Sequence, residues 1–263
     1  MVSDVYSAAA LTLLLFMLLL FAIGQAARDN SIADIAYGPA FVVACWGGLT
    51  LGGPGELHPR ALLLFALVAL WAARLAVHLA IRHHGRGEDF RYREFRRQWG
   101  RTVVWRGLLQ VYLLQGAIVV VIATPVLVTI AAPGPPLGYA DLLAVLLFAV
   151  GLLFEAISDR QLLIFKKNPA NRGRIITHGL WRYSRHPNYF GEALLWWGVF
   201  LLALPGPHGL YALIAPLTIL FLLLKVSGIP MLEKKYQDDP EFQAYRAKTN
   251  AFFPGLPRDG AIR

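Results

Sequence analysis

Apolar runs of roughly 18 to 25 residues recur along this chain, and that one feature decides most of what it can fold into. A helix needs about 20 residues to cross the hydrocarbon of a bilayer, where no water satisfies an exposed backbone. Seven such segments can be read, at about 8–26, 33–52, 60–81, 107–131, 138–157, 188–205 and 208–227. The expectation is an all-α integral membrane protein, a seven-transmembrane-helix bundle making one membrane domain over 1–263. A cytoplasmic cap of loops and short helices completes it, with a C-terminal cytoplasmic tail at 228–263. Composition agrees, since 57% of the residues are apolar, above the roughly 45–50% of a soluble domain. The first run lacks the basic start of a signal peptide and is long enough to span, so it reads as an uncleaved helix.

Charge sets the expected orientation. The segment Arg82–Arg106 holds eight arginines and Arg160–Arg185 holds seven lysines and arginines. The loops Gly52–Pro59, Ala131–Gly138 and Pro205–Gly209 hold none. Positive loops stay inside, which predicts a multi-pass protein of the inner (plasma) membrane, N-terminus outside and C-terminus cytoplasmic. The net charge of +9 then belongs to the membrane surface, with an anion-binding component open. No nucleic-acid module is present. Cys45, the single cysteine, can form neither a disulfide nor a thiolate metal site.

The densest polar cluster is Gly179-Leu180-Trp181-Arg182-Tyr183-Ser184-Arg185-His186-Pro187-Asn188-Tyr189-Phe190-Gly191-Glu192. It stands at the mouth of the apolar segment Ala193–Leu204, where an ionisable residue such as Glu192 is costly without a partner or ligand. Helical spacing aligns further polar positions: Asn30, Asp34 and Tyr37; Arg74, His78 and Arg82; Glu155 and Asp159; Asn188 and Glu192. Each has a plain structural reading beside the functional one. Arg82 can snorkel to the interface, His78 can be a hydrogen-bonded core histidine, and Asn30 with Ser31 can cap a helix. Asp34 can pair with Arg28 or Arg74, whereas Trp71, Arg74 and His78 together suit the wall of a cavity. The segment Arg91–Trp99 reads as an amphipathic interfacial helix, for lipid headgroups or for a ligand phosphate. No Gly-rich phosphate loop occurs, so a phosphorylated ligand must be held by side chains. Lys166, Lys167, Arg172, Arg174, Arg182 and Arg185 are available in one stretch. His83 and His84 lack a helix-spaced ligand partner, and no metal is expected.

These residues resemble a family. Glu155-Ala-Ile-Ser-Asp159-Arg-Gln161, Phe165-Lys166 and the stretch Gly179–Glu192 are similar to the bacterial branch of the steroid 5-alpha-reductase family. Asn30–Asp34, Asp89–Tyr92, Ser227–Pro230, Glu233, Tyr245 and Phe253-Pro254 fit it as well. The wider superfamily also holds sterol reductases and isoprenylcysteine or phospholipid methyltransferases. The resemblance implies NADPH on the cytoplasmic side and a lipid-like small-molecule substrate, a steroid or isoprenoid-type enone, reached through the membrane. Carried over, Asp159, Arg174, Asn188 and Glu192 fall on cofactor-contacting positions. Lys166 replaces an arginine and Glu155 an asparagine, and Tyr183, Arg185 and His186 complete the cofactor set. Steroid reductases grip the ketone with a glutamate on the second span and a tyrosine on the third. Here Trp71 stands at the tyrosine position, Arg74 matches the arginine after it, and the second span has no glutamate.

The leading expectation is reduction of a carbon–carbon double bond conjugated to a carbonyl, with Asp34, Tyr37 and His78 as catalytic candidates. Asn30, Trp71 and Arg74 face substrate, membrane lipids surround the protein, and it acts as a monomer. A buried, protonated Asp34 could donate to the developing oxyanion. The rival is an S-adenosylmethionine-dependent membrane methyltransferase of a lipid or isoprenyl substrate, which shares Arg185–Tyr189, Glu192 and Glu233. That cofactor carries no phosphate, so it leaves the basic stretch without a purpose. A transporter or scaffold is the third reading, and it lacks the inverted repeats such folds carry. Substrate identity and the choice between NADPH and NADH are open at this stage.

Overall fold

The computed structural model describes residues 1–53, 55, 58–85 and 87–258. Pro54, Glu56 and Leu57 of the first outer loop, Arg86 of the first basic segment and 259–263 of the tail lie outside the described residues. Among the described residues every regular element is helical and there is no strand. Five helical runs are long and apolar enough to cross a membrane: Val2–Ala27, Pro59–His83, Phe90–Ile122, Tyr139–Lys167 and Gly209–Lys234. The protein is therefore a multi-pass membrane protein.

The faces of these helices say the same. Helix α1 (Val2–Ala27) buries Val5, Ala9, Leu13, Met17, Leu20 and Gly24 on one stripe. Its other side exposes Leu11, Leu14, Leu15, Leu18 and Leu19. A helix apolar all round, with half of that surface bare, suits hydrocarbon and not water.

Two compact units form, residues 1–138 with 199–215, and residues 139–198 with 216–263. In the first, α1 is followed by the short α2 (Ile32–Ile35) and by α3 (Tyr37–Gly47), which runs on as a π-helical turn, Gly48–Gly52. The expected second span is thus helical but shorter than the five above. Then come α4 (Pro59–His83), α5 (Phe90–Trp99), α6 (Val103–Arg106), α7 (Leu114–Ile122) and α8 (Thr124–Ala131). The expected span 107–131 is divided after Ile122, because Pro125 lacks an N–H and its ring would clash with the preceding turn. Conversely, the expected interfacial helix does not stand apart: it continues through a bend at Gly100 (φ +49°) into the same run as Ile122.

Within this unit α3 packs on α1 and α4, and α4 packs on α8. A Cβ on Gly38 would sit 2.5 Å from the Ala72 carbonyl oxygen, so α3 and α4 touch backbone to backbone. Arg60, at the start of α4, is buried and donates to the carbonyl oxygens of Leu202 (2.8 Å), Pro135 (3.1 Å) and Pro136 (3.3 Å). This cation sits on the side the charge pattern reads as outside, and it serves backbone carbonyls of the helix Pro187–Ala203 and of the loop at 135–136.

The second unit is built on α9 (Tyr139–Lys167). The first turns of α10 (Pro187–Ala203) lie against it, while residues 199–203 belong to the first unit. A Cβ on Gly191 would meet the Glu155 backbone nitrogen at 2.5 Å and the Gly151 oxygen at 2.6 Å. After α11 (Ile214–Phe221) and a π-helical turn, Leu222–Val226, the chain closes with α12 (Ile229–Lys234) and α13 (Pro240–Lys248).

The α9–α10 contact admits no side chain at Gly191. Gly191→Val should cost about 1–3 kcal/mol of stability through overpacking, read as a lower melting temperature of the detergent-solubilised protein. An unchanged melting temperature would show that the helices do not meet there.

Candidate functional site

In the second unit the last turns of α9 carry three buried polar residues, Glu155, Ser158 and Asp159. The glycine contact sets them beside the first turn of α10, which carries Asn188 and Glu192. Asn188 Nδ2 donates to Asp159 Oδ1 at 3.2 Å. The other end of that amide, Oδ1, is buried and accepts no hydrogen bond among the described residues. A buried acceptor left open is costly, so this atom is a natural seat for an N–H donor of a ligand.

The loop between the helices is tied down from below. Gln161 Oε1 accepts from the Leu180 N–H at 3.0 Å, and the Trp181 indole donates to the Ser158 carbonyl at 3.1 Å. Gly179 turns with φ +64° directly against the Gln161 side chain, a place where a Cβ would collide.

Above it sits a charged knot centred on Glu233 of α12. Arg185 Nε donates to Glu233 Oε1 at 2.9 Å and Nη2 to Oε2 at 3.2 Å, while Nη1 donates to the Thr249 carbonyl at 2.5 Å. His186 Nε2 lies 3.1 Å from the same Oε1, and its ring stacks on Tyr189 at 5.5 Å. Tyr245 donates its hydroxyl to the Trp181 carbonyl, and Ser184 Oγ donates to the Phe252 carbonyl at 2.8 Å. Burial pushes the Tyr245 phenol above its ordinary range. Arg185 is only 8% exposed, and its guanidinium is already spread over Glu233 and backbone carbonyls.

Three arginines of that stretch are free to serve. Arg172, Arg174 and Arg182 are exposed, and their guanidinium groups have no hydrogen-bonded or ionic partner among the described residues. Lys166 is exposed at the end of α9, and Tyr183 is 38% exposed beside the Arg185 knot.

The first unit holds a second polar knot. Asp34 on α2 accepts from Arg91 Nη2 at 2.5 Å through Oδ2 and from the Tyr92 hydroxyl at 2.6 Å through Oδ1. Both carboxylate oxygens are thus occupied as acceptors. The Asn30 side chain does not cap a helix. It is buried, its Oδ1 accepts from Gln25 and from Tyr112 (both 3.2 Å), and its N–H donates to Glu88 at 3.0 Å. The Ser31 hydroxyl accepts from the Asp89 N–H at 2.7 Å. Arg96 grips Glu88 at 2.9 Å, and His83 lies 3.3 Å from Asp29.

The same unit brings Tyr37 and Trp71 together. Their rings are 6.4 Å apart, edge to face, and Phe41 joins both at 5.2 and 5.3 Å. Trp71 is fully buried, and Arg74 and His78 follow it on α4, both half-buried. Among the described residues no group of three or more His, Cys, Asp or Glu is placed to hold a metal.

Sequence reasoning did not assign Glu88, Arg91, Tyr92 or Arg96 to Asn30 and Asp34, nor Glu233 to Arg185 and His186. The separations, 58 residues for Asn30–Glu88 and 48 for Arg185–Glu233, carry no periodicity to read. The one available signal was an acid-and-base mixture, Glu88-Asp89-Phe90-Arg91-Tyr92, directly before an apolar run.

A family model described as Protein of unknown function (DUF1295) matches residues 20–249. Among curated proteins, a Probable O-methyltransferase ustE from Ustilaginoidea virens is 48% identical over 44 residues. The match spans 17% of this chain and 16% of that relative, so most of both chains lies outside it. No solved structure matches.

Two outcomes follow from the knots. Glu233→Ala strands Arg185 and His186 and should cost about 3–5 kcal/mol, whereas Glu233→Gln, which keeps one acceptor, should cost less. Equal melting temperatures for wild type and Glu233→Ala would dismiss the knot. In the first unit, burial works to raise Asp89, but hydrogen bonds from the Arg91 side chain and N–H, and the charges of Arg91 and Arg82, hold it below its usual value. Burial likewise opposes, and Ser31 and His83 outweigh, at Asp29. Folded-state values below the unfolded ones stabilise above about pH 4 and lose that contribution as pH falls through them. Asp89→Asn should therefore flatten the acid limb of stability against pH, measured by melting between about pH 3 and 6.

Proposed function

The chain belongs to the family described as Protein of unknown function (DUF1295), within the steroid 5-alpha-reductase/methyltransferase-like superfamily, and on that premise we propose that it is a membrane oxidoreductase using NADPH to reduce the C=C bond of a lipid-like enone. The observation that supports this reading is that one unit holds both an open buried amide oxygen at Asn188 and the exposed guanidinium groups of Arg172, Arg174 and Arg182, which have no partner among the described residues. An amide-accepting end and a phosphate-accepting end together suit a nicotinamide dinucleotide.

In this reading Asn188 Oδ1 accepts from the nicotinamide amide, and Asp159 orients Asn188 by accepting from Nδ2. Glu192 and Glu155 add acceptors beside it. Lys166, Arg172, Arg174 and Arg182 hold the phosphates, where the planar fork of arginine gives bidentate contact. Arg185 and His186 act indirectly, by fixing the loop to Glu233, and Tyr183 borders the cofactor. When bound, NADPH supplies a hydride to the β-carbon of the enone. The protein must then meet negative charge on the carbonyl oxygen and deliver a proton to the α-carbon. Tyr37 and His78, nominated in the sequence as donors for that task, belong to the first unit. Asp34 holds Arg91 and Tyr92 in place within that unit, where Trp71, Arg74 and Asn30 are the nominated substrate residues. The reading carries with it seven spans, a cytoplasmic cap and C-terminus, an N-terminus outside, the inner membrane as location, and action as a monomer.

The second reading is an S-adenosylmethionine-dependent methyltransferase, favoured by the 44-residue match to a probable O-methyltransferase. That cofactor has no phosphate for the arginines to hold. Ligand-dependent melting of the solubilised protein separates the two, because a ligand that binds only the folded state raises stability by mass action. NADPH should raise the melting temperature of wild type by several degrees, and Asn188→Ala or Arg174→Gln should remove most of that rise. A response to S-adenosylmethionine and none to NADPH would sink the reductase.

A further inference from the structure

Helix α5 is basic on two sides, and the two sides are treated differently. Arg91 and Arg96 turn inward and are satisfied by Asp34, Asp89 and Glu88. Arg93 points out and has no acidic partner among the described residues, and neither do Arg101 and Arg106 in the turns that follow. Arg97 is 79% exposed and is met only by Glu94, the single acid between Phe90 and Arg106. Exposed aromatics flank these arginines, with Phe90 at 59% and Trp105 at 69%. The segment continues without interruption into a membrane-crossing run that ends at Ile122. Covalent continuity therefore keeps this outward face close to the bilayer surface.

We propose that the outward face of α5 and α6, carried by Arg93, Arg97, Arg101 and Arg106, is a binding surface for the headgroups of anionic phospholipids. The charge is complementary, and a guanidinium matches a phosphate through two parallel N–H bonds. A zwitterionic headgroup brings its own ammonium to the same phosphate and is the poorer partner. Trp105 and Phe90 suit the headgroup level, where an aromatic ring has one wet and one apolar side. Juxtamembrane arginines attract an anionic leaflet in this way. The contact also reaches inward. The helix that offers Arg93 to a headgroup uses Arg91 and Tyr92 to hold Asp34, and the turn before it holds Asn30 and Ser31. Lipid on the outer face thus steadies the knot on the inner one.

The test is melting of the delipidated, detergent-solubilised full chain, titrated separately with phosphatidylglycerol, phosphatidylcholine and inorganic phosphate. Phosphatidylglycerol should raise the wild-type melting temperature by about 3 °C or more beyond the other two. Arg93→Gln/Arg101→Gln/Arg106→Gln should raise the half-effect lipid concentration on the order of 10- to 100-fold. Arg93→Lys/Arg101→Lys/Arg106→Lys, which keeps the charge, should retain most of the effect. A control removing charge elsewhere, Lys234→Gln/Lys248→Gln, should behave as wild type. Equal stabilisation by the two lipids, an unchanged response in the glutamine variant, or full replacement of the lipid by inorganic phosphate would each overturn the proposal.

Discussion

A chain this apolar must satisfy its charges from within. Hydrocarbon offers no water to a carboxylate or a guanidinium, and an ion left alone there costs several kcal/mol. Three charged groups among the described residues answer to that constraint. Arg60 finds three carbonyl oxygens, Asp34 finds Arg91 and Tyr92, and Glu233 finds Arg185 and His186. The pairs are few, and each joins segments far apart in sequence. They act as fasteners where leucine surfaces alone give little specificity, because lipid tails are as apolar as the helices they surround.

Each unit uses one such fastener to secure an irregular piece of backbone. In the first, the segment Arg28–Asp34 leaves α1 through a left-handed residue, Arg28 at φ +53°. It is then held by Glu88, Asp89, Arg91 and Tyr92. In the second, the loop Gly179–His186 is held by Gln161, Glu233, Tyr245 and the carbonyls of the C-terminal segment. Both loops lead into a helix whose first turn carries polar residues. Rigid backing of this kind is what a binding position requires, since side chains on a loose loop hold no ligand in register.

Helix identity was readable because period and length carry it. The apolar runs around Val2–Ala27, Pro59–His83 and Tyr139–Lys167 translate directly into helices. The break at Pro125 was present as a residue but hidden inside a continuous apolar run, where hydropathy alone sees no interruption. The contacts of Asp159 with Asn188 and of Tyr37 with Trp71 join separate helices, which helical spacing within one segment does not reveal. Partners across 48 to 58 residues were not legible, since pairing at that distance is decided by packing. Arg185 shows the cost. In sequence it is one more cation in a basic stretch; in three dimensions it is enclosed and committed, whereas Arg172, Arg174 and Arg182 beside it stay open.

That division among neighbouring arginines bears on chemistry more than their number does. A count of basic residues cannot tell a phosphate site from a fastener, because both use the same fork of N–H donors. Burial and partnership can. A buried guanidinium divided between a bidentate carboxylate and backbone carbonyls, as Arg185 is, is poorly placed to take a second anion, and separating the pair leaves unpaired charge on each side. One left in solvent without a partner binds an incoming phosphate at the expense of water alone. By this criterion Arg172, Arg174 and Arg182 are open cations of that stretch, while Arg185 and His186 are committed to Glu233. The same criterion sorts α5, where Arg91 and Arg96 are fasteners and Arg93, Arg101 and Arg106 remain available to an anion from outside the chain.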